Sequence, residues 1–189
     1  MTPNIVGLEK SGRQYWILKT TEGGPTERNH WCDFKKDSVV AVGWPIKENP
    51  TKFSSLQEFS ERLNLKYDWP NNNANYVASQ IYKFANCWRK DDIAIVCVGY
   101  RPHQEQRVCL YGFAVVGDFL PPENRPKWRW RFKRQAEIKV IEKNVPVRTF
   151  IDAFGKKSML QTIHGPFTQE QFHKFSKAIQ RLYPELRLD

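Results

Sequence analysis

The sequence predicts an α+β fold in a single domain, residues 1–189. The chain is long enough for one domain with a substantial hydrophobic core and short for two. Short runs with alternating or near-continuous hydrophobicity, typical of strands, are mixed along the chain with segments in which apolar residues recur every three or four positions, typical of helices. This mixture of the two patterns favours a sheet covered by helices.

Two strands and two helices are predicted in the first half of the chain. The run QYWILKT at 14–20 predicts the first strand, since it is apolar and Gly23, Gly24 and Pro25 follow it. The apolar run in DSVVAVGWP at 37–45, which ends at Gly43 and Pro45, predicts the second. Apolar residues at helical spacing then predict one amphipathic helix starting near Thr51 and another over 76–88.

A hairpin and one long strand are predicted next. DDIAIVCVGY at 91–100 and QRVCLYGFAVVGDF at 106–119 are apolar runs joined by a short polar loop, which predicts a hairpin. Alternation then continues over 127–140, a length of about 46 Å in extended form. Since this exceeds one side of a small domain, we expect a bend or bulge near 133–135.

The last part of the chain has a weak pattern followed by a strong one. Alternation over 145–166 is unclear, so no element is assigned there. The segment 168–183 predicts a helix with one apolar stripe, and Thr168 and Gln171 have the spacing of a capping box at its start.

The segment RPKWRWRFKRQ, residues 125–135, contains six basic residues and no acidic one. In an extended conformation the cations at alternate positions share one face, and the aromatic rings share the other. Like charges in a row repel, so this face favours a role in binding phosphate. The candidate phosphate-binding residues are Arg125, Lys127, Arg129, Arg131, Lys133 and Arg134.

The sequence contains seven tryptophans, and most are expected in the core. Trp16, Trp44 and Trp88 lie within or beside apolar runs. Trp31 lies in the polar context RNHWCDFKK. Because it has few apolar neighbours in sequence, a buried structural role is not favoured. It is therefore a candidate stacking platform for a nucleobase.

Composition points to a polyanionic partner. The formal net charge is +10 and the pI is about 9.5, which favours nucleic acid. The sequence has no apolar run long enough to span a membrane and no signal-peptide pattern at its start, so we expect a cytoplasmic protein with no membrane partner. The four cysteines and four histidines lack the spacing of a metal site, and we expect structural thiols, no metal and no cofactor.

Motifs for catalysis are weak, so we expect no enzyme. The nucleophile-elbow, phosphate-loop, zinc-protease and deaminase motifs are absent from the sequence. One alternative stays open: Asp118 together with Glu137 and Lys139 is similar to the acidic set of a Mg²⁺-dependent nuclease. A solvated Glu/Lys pair explains the same spacing.

The order of several segments resembles the EVE and YTH domains of the PUA-like superfamily. The segments are YWILKT, HWCDF, VVAVGWP, DDIAIVCV, VCLYGFAVVGDF and KWRWRFKRQAEIKVIEKNVP. With a Trp shortly before AVGWP, the chain is most similar to the EVE-type N-terminal DNA-binding domains of archaeal McrB-like modification-dependent restriction proteins. The resemblance covers nearly the whole chain.

The resemblance implies a strongly bent β-barrel flanked by helices that binds nucleic acid and holds one flipped, methylated base in an aromatic cage. YTH domains bind N6-methyladenine in RNA, and the McrB-like domains would bind modified DNA. The expected function is recognition of a modified base, most simply N6-methyladenine in DNA, as the targeting module of a restriction system. An AAA+ GTPase motor on the same or a longer chain would be its partner. An RNA-binding PUA-like protein is the alternative.

The resemblance also selects residues for the site. Trp31 matches the cage tryptophan after the first loop, and either Trp128 or Trp130 would supply the second ring. Cys32 takes the position next to the cage tryptophan. The residues expected at the base edge or in the polar part of the pocket are Lys19, Thr20, Asn29 and Cys32, with Asn29 closer to Trp31 than the family pattern places it.

Overall fold

The structure is a computed structural model that describes residues 8, 12–20, 29–44, 46–67, 73–98, 107–120, 122, 132–155 and 162–186. These residues form six strands and five α-helices, and the predicted α+β class is confirmed. In chain order the elements are β1 (Tyr15–Lys19), α1 (Trp31–Asp37), β2 (Val39–Val42), α2 (Leu56–Lys66), α3 (Asn73–Tyr82), β3 (Ile93–Cys97), β4 (Arg107–Leu120), β5 (Phe132–Pro146), α4 (Val147–Phe154), β6 (Ile163–Phe167) and α5 (Gln169–Leu182).

The strands belong to one sheet with the order β2-β5-β4-β3-β1-β6, curled into a half barrel. Strands β1 and β3 are parallel, and the other neighbouring pairs are antiparallel. The hairpin predicted for β3 and β4 is confirmed. Because β3 lies between β1 and β4, this hairpin connects β1 to the long β4–β5 pair.

Both faces of the central strands are buried. In β1, Tyr15 and Ile17 belong to one hydrophobic cluster, and Trp16 and Leu18 belong to another. The first cluster contains side chains of α4 and α5, and the second contains side chains of α1, α2 and α3. Burial on both faces explains why β1 and β3 have near-continuous apolar sequences.

The long ladder between β4 and β5 is interrupted twice. The first irregularity lies between Val116 and Phe119, opposite positions 134–136, close to the bend predicted near 133–135; the extra residue is on β4. The second lies where Leu110 pairs with Lys143 and Gly112 pairs with Val140, so that the extra residue is on β5. Strand β5 also continues to Pro146, beyond the predicted end at 140.

The helices differ in how far the sequence predicts them. The capping box of α5 is confirmed, since the Thr168 hydroxyl accepts from the Gln171 N–H at 3.2 Å and the Gln171 side chain accepts from the Thr168 N–H at 3.0 Å. Helix α2 begins later than predicted, after the Ser55 N-cap. Helices α1 and α4 were not predicted. None of the helices in the described ranges is long and apolar enough to cross a membrane.

Candidate functional site

The end of β1 lies beside the start of α1. The backbone N–H of His30 donates to the carbonyl of Thr20 at 3.2 Å, and the N–H of Thr20 donates to the carbonyl of Cys97 at 3.1 Å. Two sequence segments, 19–20 and 29–32, are therefore adjacent at the end of β3. These two segments contain all five residues that the resemblance selects around the first cage ring, of which Trp31 begins α1. The five are Lys19, Thr20, Asn29, Trp31 and Cys32.

Trp31 is buried, with only 3% of its surface exposed. Its ring stacks on Tyr111, with the centroids 5.5 Å apart and the planes inclined by 22°. The ammonium of Lys35 lies over the same ring, 5.5 Å from the centroid. Trp31 therefore presents no open stacking face in this structure, because residues distant in sequence supply the apolar contacts that its own segment lacks. Its role as a stacking platform for a base stays a prediction.

A glycine on β4 allows the Trp31 ring to lie against the sheet. An added Cβ at Gly112 would be 2.1 Å from the carbonyl oxygen of Lys139 and 3.1 Å from Cη2 of Trp31. The first distance is far inside van der Waals contact with backbone, so no other residue fits without moving β4 from β5. Gly112 thus fixes both the strand pairing and the seat of the indole.

Glu142 binds the polar edge of the same indole. Its Oε1 accepts from Trp31 Nε1 at 2.7 Å and from Lys35 Nζ at 2.7 Å. The hydrogen bond from Lys35, followed by that from Trp31, holds the pKa of Glu142 below its usual range. Glu142 lies in the β5 bulge with a φ of 51°, a left-handed conformation that is uncommon for a residue other than glycine.

Asn29 connects the start of α1 to β4. Its side-chain carbonyl accepts from the backbone N–H of Trp31 at 3.0 Å, and its side-chain N–H donates to the hydroxyl of Tyr111. Asn29 itself is exposed. Its amide group therefore lies at the open edge of the Trp31–Tyr111 pair, where a ligand could reach it.

Thr20 carries a buried polar group next to this cluster. The residue is 3% exposed, and its hydroxyl has no hydrogen-bond partner in the described part of the chain. A buried hydroxyl without a partner costs free energy, so such a group in a native structure points to a missing partner. Lys19 is half-buried and Cys32 is exposed. We call Thr20, Asn29, Trp31, Lys35, Tyr111 and Glu142 the Trp31 site.

Nearby ionisable groups favour their neutral forms. Burial, followed by the neighbouring Cys109 thiol, raises the pKa of Tyr111. Burial likewise raises the pKa of Cys109 and of Cys97. These thiols are therefore protonated at neutral pH and unsuited to nucleophilic catalysis.

Arg134 is a structural residue. It is 5% exposed, and its guanidinium donates to four backbone carbonyls, those of Phe84 at 2.8 Å, Ala85 at 2.9 Å, Trp88 at 2.8 Å and Gly117 at 3.0 Å. The prediction that Arg134 binds phosphate is wrong, because its donors are directed into the protein. The hydrogen bonds instead join the π-helical segment Lys83–Cys87, which follows α3, to the sheet.

The other predicted phosphate-binding residues are described only in part. Lys133 is half-buried on β5, in the register pair with Ala41 of β2. The remaining members of the basic segment lie outside the described residues, as do both candidates for the second cage ring. These are Arg125, Lys127, Arg129, Arg131, Trp128 and Trp130.

The residues of the alternative nuclease site form a surface ion pair and a separate carboxylate. Glu137 and Lys139 are 3.4 Å apart, and the Glu137 side chain is 70% exposed. Asp118 is exposed in the β4 bulge. Within the described ranges, no three Asp, Glu, His or Cys side chains are grouped so that they could hold a metal ion.

Sequence reasoning missed Tyr111, Lys35 and Glu142. The isolated Gly112 in an apolar strand was the available signal, because a strand glycine often marks a close approach by another group. Glu142 had no such signal, since the bulge that directs it toward α1 is not visible in the alternation of β5.

The comparisons do not place the chain in a family. No protein-family model matches it, and no curated protein matches it either.

Proposed function

We propose that this chain is a PUA-like domain of the EVE/YTH type that binds nucleic acid in the cytoplasm and recognises one modified base without catalysing a reaction. N6-methyladenine in DNA is the preferred ligand, and the base would be flipped out of the duplex into the Trp31 site. The proposal assigns the domain to the targeting part of a restriction system that acts with an AAA+ GTPase motor.

The observation that carries the proposal is the convergence at the Trp31 site. Two separate segments that the resemblance selects are joined by the Thr20–His30 backbone hydrogen bond, next to the Trp31–Tyr111 pair, and the Thr20 hydroxyl is buried without a partner in the described structure. Asn29 adds an amide at the exposed edge. A flat ring with polar edges matches both the stacking surface and these hydrogen-bonding groups.

Base binding requires the Trp31 site to open, because Tyr111 and Lys35 now lie against the indole. An aromatic pair contributes about 0.5–1.5 kcal/mol beyond its buried area. Stacking of a base on an aromatic side chain contributes about 1–3 kcal/mol. A base can therefore replace the Tyr111 contact with no net loss, while the cost of opening the site lowers the affinity for modified and unmodified DNA alike.

Discrimination of the methyl group should be modest. Burial of one methyl group contributes about 0.8 kcal/mol, or roughly a fourfold preference. N6-methyladenine also pairs less well than adenine, so flipping it costs less, which raises the expected preference toward about tenfold.

The test is a binding assay with labelled DNA and RNA of equal sequence, each with and without one N6-methyladenine. Wild type should prefer methylated DNA, and Trp31→Ala should lose that preference while keeping its salt-sensitive affinity. Trp44→Ala is the matched control, since Trp44 is half-buried against the same hydrophobic cluster, whereas in the described structure the stacking on Tyr111 and the hydrogen bond to Glu142 belong to Trp31.

Three results would contradict parts of the proposal. A preference that survives in Trp31→Ala would remove Trp31 from the base site. Tighter binding of RNA would favour the RNA-binding alternative. Cleavage that depends on Mg²⁺ and is lost in Glu137→Gln would replace a reader with a nuclease.

A further inference from the structure

Glu142 of β5 accepts hydrogen bonds from two side chains of α1. Trp31 and Lys35 are four residues apart and therefore on one side of the helix. Both donate to the same carboxylate oxygen, each at 2.7 Å. One acidic side chain thus both holds the indole N–H and forms the ion pair with the Lys35 ammonium.

The backbone shows that this contact depends on the bulge. Glu142 has a φ of 51° at the point where β5 has one more residue than β4. Bulges redirect a side chain away from the regular alternation of a strand. Here the redirected side chain reaches α1, and a regular β5 would not direct it in the same way.

The ion pair between Lys35 and Glu142 lies where a ligand could replace the carboxylate. The side chains of Lys35 and Glu142 are 33% and 47% exposed, so water reaches the pair. Exposed ion pairs are weak. The Lys35 ammonium is therefore accessible to a nucleic-acid phosphate, and it already lies over the indole.

We propose that Glu142 is a positioning residue that occupies Lys35 and closes Trp31 until a phosphate of the bound nucleic acid replaces the carboxylate on Lys35. The phosphate neutralises Lys35 and repels Glu142, which releases the indole N–H and frees the ring to move. Opening is thereby coupled to the phosphate backbone of the ligand. This inference rests on the proposed function and adds to it a residue that competes with the ligand.

The experiment is a double-mutant cycle read by affinity for the methylated duplex. Glu142→Gln keeps the shape of the side chain and removes its charge, so the affinity should rise threefold or more. In a Lys35→Gln background the same substitution should give no such gain, because the ammonium that Glu142 blocks is absent. Cycles of this kind isolate the coupling between two neighbouring residues.

Glu185→Gln is the matched control. Glu185 pairs with Lys143 at 3.0 Å and its side chain is 51% exposed, close to the values for Glu142. Both substitutions change the net charge equally, so a general electrostatic effect would raise both affinities by the same factor. Equal gains for the two variants, or a gain from Glu142→Gln that persists without Lys35, would overturn the proposal.

A second measurement follows the indole directly. The Nε1–H resonance of Trp31, assigned by its loss in Trp31→Phe, should move and exchange faster with solvent in Glu142→Ala and on addition of the duplex to wild type. An unmoved resonance on duplex binding would also overturn the proposal. The two proposals fail in different ways. If the protein binds DNA without preferring the methylated base, the proposed function fails, but the coupling between Glu142 and Lys35 can still be measured. If the preference is present and the coupling is absent, only the role of Glu142 fails.

Discussion

The hydroxyl of Thr20 is buried with no hydrogen-bond partner among the described residues, and it belongs to a residue joined by a backbone hydrogen bond to the segment that begins α1. Desolvation of an unpaired hydroxyl costs about 1–3 kcal/mol, and a bound ligand that forms the missing hydrogen bond recovers that cost. Removal of such a hydroxyl should therefore raise the stability of the free protein and lower its affinity for the ligand. Removal of a hydroxyl that serves only the fold would not raise stability.

Thr20→Val tests this residue, because Val has nearly the same shape and no hydroxyl. The free energy of unfolding should rise by about 1 kcal/mol, while affinity for the methylated duplex falls. Thermal unfolding and the binding assay measure the two effects. Thr149→Val, at a half-buried position on α4, is the control and should not change affinity. A loss of stability in Thr20→Val with unchanged affinity would show that the hydroxyl serves the fold.

Glu48 is a carboxylate whose ionised form stabilises the fold. It accepts hydrogen bonds from Lys66 at 2.5 Å and from Tyr67 at 2.7 Å, and its side chain is 6% exposed. Burial alone would raise the pKa of Glu48, but the hydrogen bonds from Lys66 and Tyr67 outweigh it, so the pKa lies below its usual value. Since the folded state has the lower pKa, this stabilisation is present above the unfolded pKa and is lost as pH falls through the folded one.

Glu48→Gln should therefore lower the free energy of unfolding at neutral pH by about 1–3 kcal/mol. The difference from wild type should shrink once the pH falls below about 4.3. Denaturant unfolding at a series of pH values measures it. Glu61→Gln, an exposed carboxylate on the same helix as Lys66, should change stability by less than about 0.5 kcal/mol. A constant difference at every pH would contradict the assigned charge of Glu48.

At the scale of elements, the described structure contains two neighbouring basic residues on β5 with different roles. Arg134 directs its guanidinium inward to the π-helical segment, whereas Lys133 lies on the other side of the strand. Arg134 thus shares a face with Phe132 and Ala136, so the alternation of β5 is unbroken there even though the residue type changes from apolar to charged.

Arg134→Gln should destabilise the protein by about 3–5 kcal/mol, because several buried carbonyls lose their donor. Lys133→Gln should change stability by less than about 0.5 kcal/mol and weaken binding to DNA instead. Denaturant unfolding and the binding assay separate the two variants. Normal stability together with weak DNA binding in Arg134→Gln would restore the original phosphate-binding prediction for that residue.

Element boundaries could be predicted where local rules act alone. The α5 capping box depends on two residues three positions apart, and it forms as expected. Helix α1 was missed because it has seven residues and a polar sequence, and α4 was missed because its apolar positions were taken together with the unclear alternation around them. Short helices need tertiary contacts to be stable, so their own sequence indicates them weakly.

At the scale of the whole molecule, the net charge of +10 predicts how binding responds to salt. If four phosphates are neutralised, as the sequence predicts from the four cations at alternate positions of 127–133, affinity for DNA should fall about a hundredfold between 50 and 200 mM salt. The ratio of affinities for methylated and unmethylated duplex should stay nearly constant, because the methyl contact is apolar. Titrations at several salt concentrations measure both, and a salt-independent affinity would contradict a phosphate-based mode of binding.

The sequence by itself determined the mixture of strands and helices, the β3–β4 hairpin and the excess of positive charge, because hydrophobic period, turn residues and net charge are properties of short segments or simple sums. Only the tertiary structure decided that Trp31 is closed and that Arg134 is internal. The contacts responsible are remote, since Glu142 is 111 positions from Trp31 and Tyr111 is 82 positions from Asn29. Burial depends on what packs against a side chain, and at this site those neighbours come from β4 and β5, which pair across a bulge whose register the local sequence does not encode.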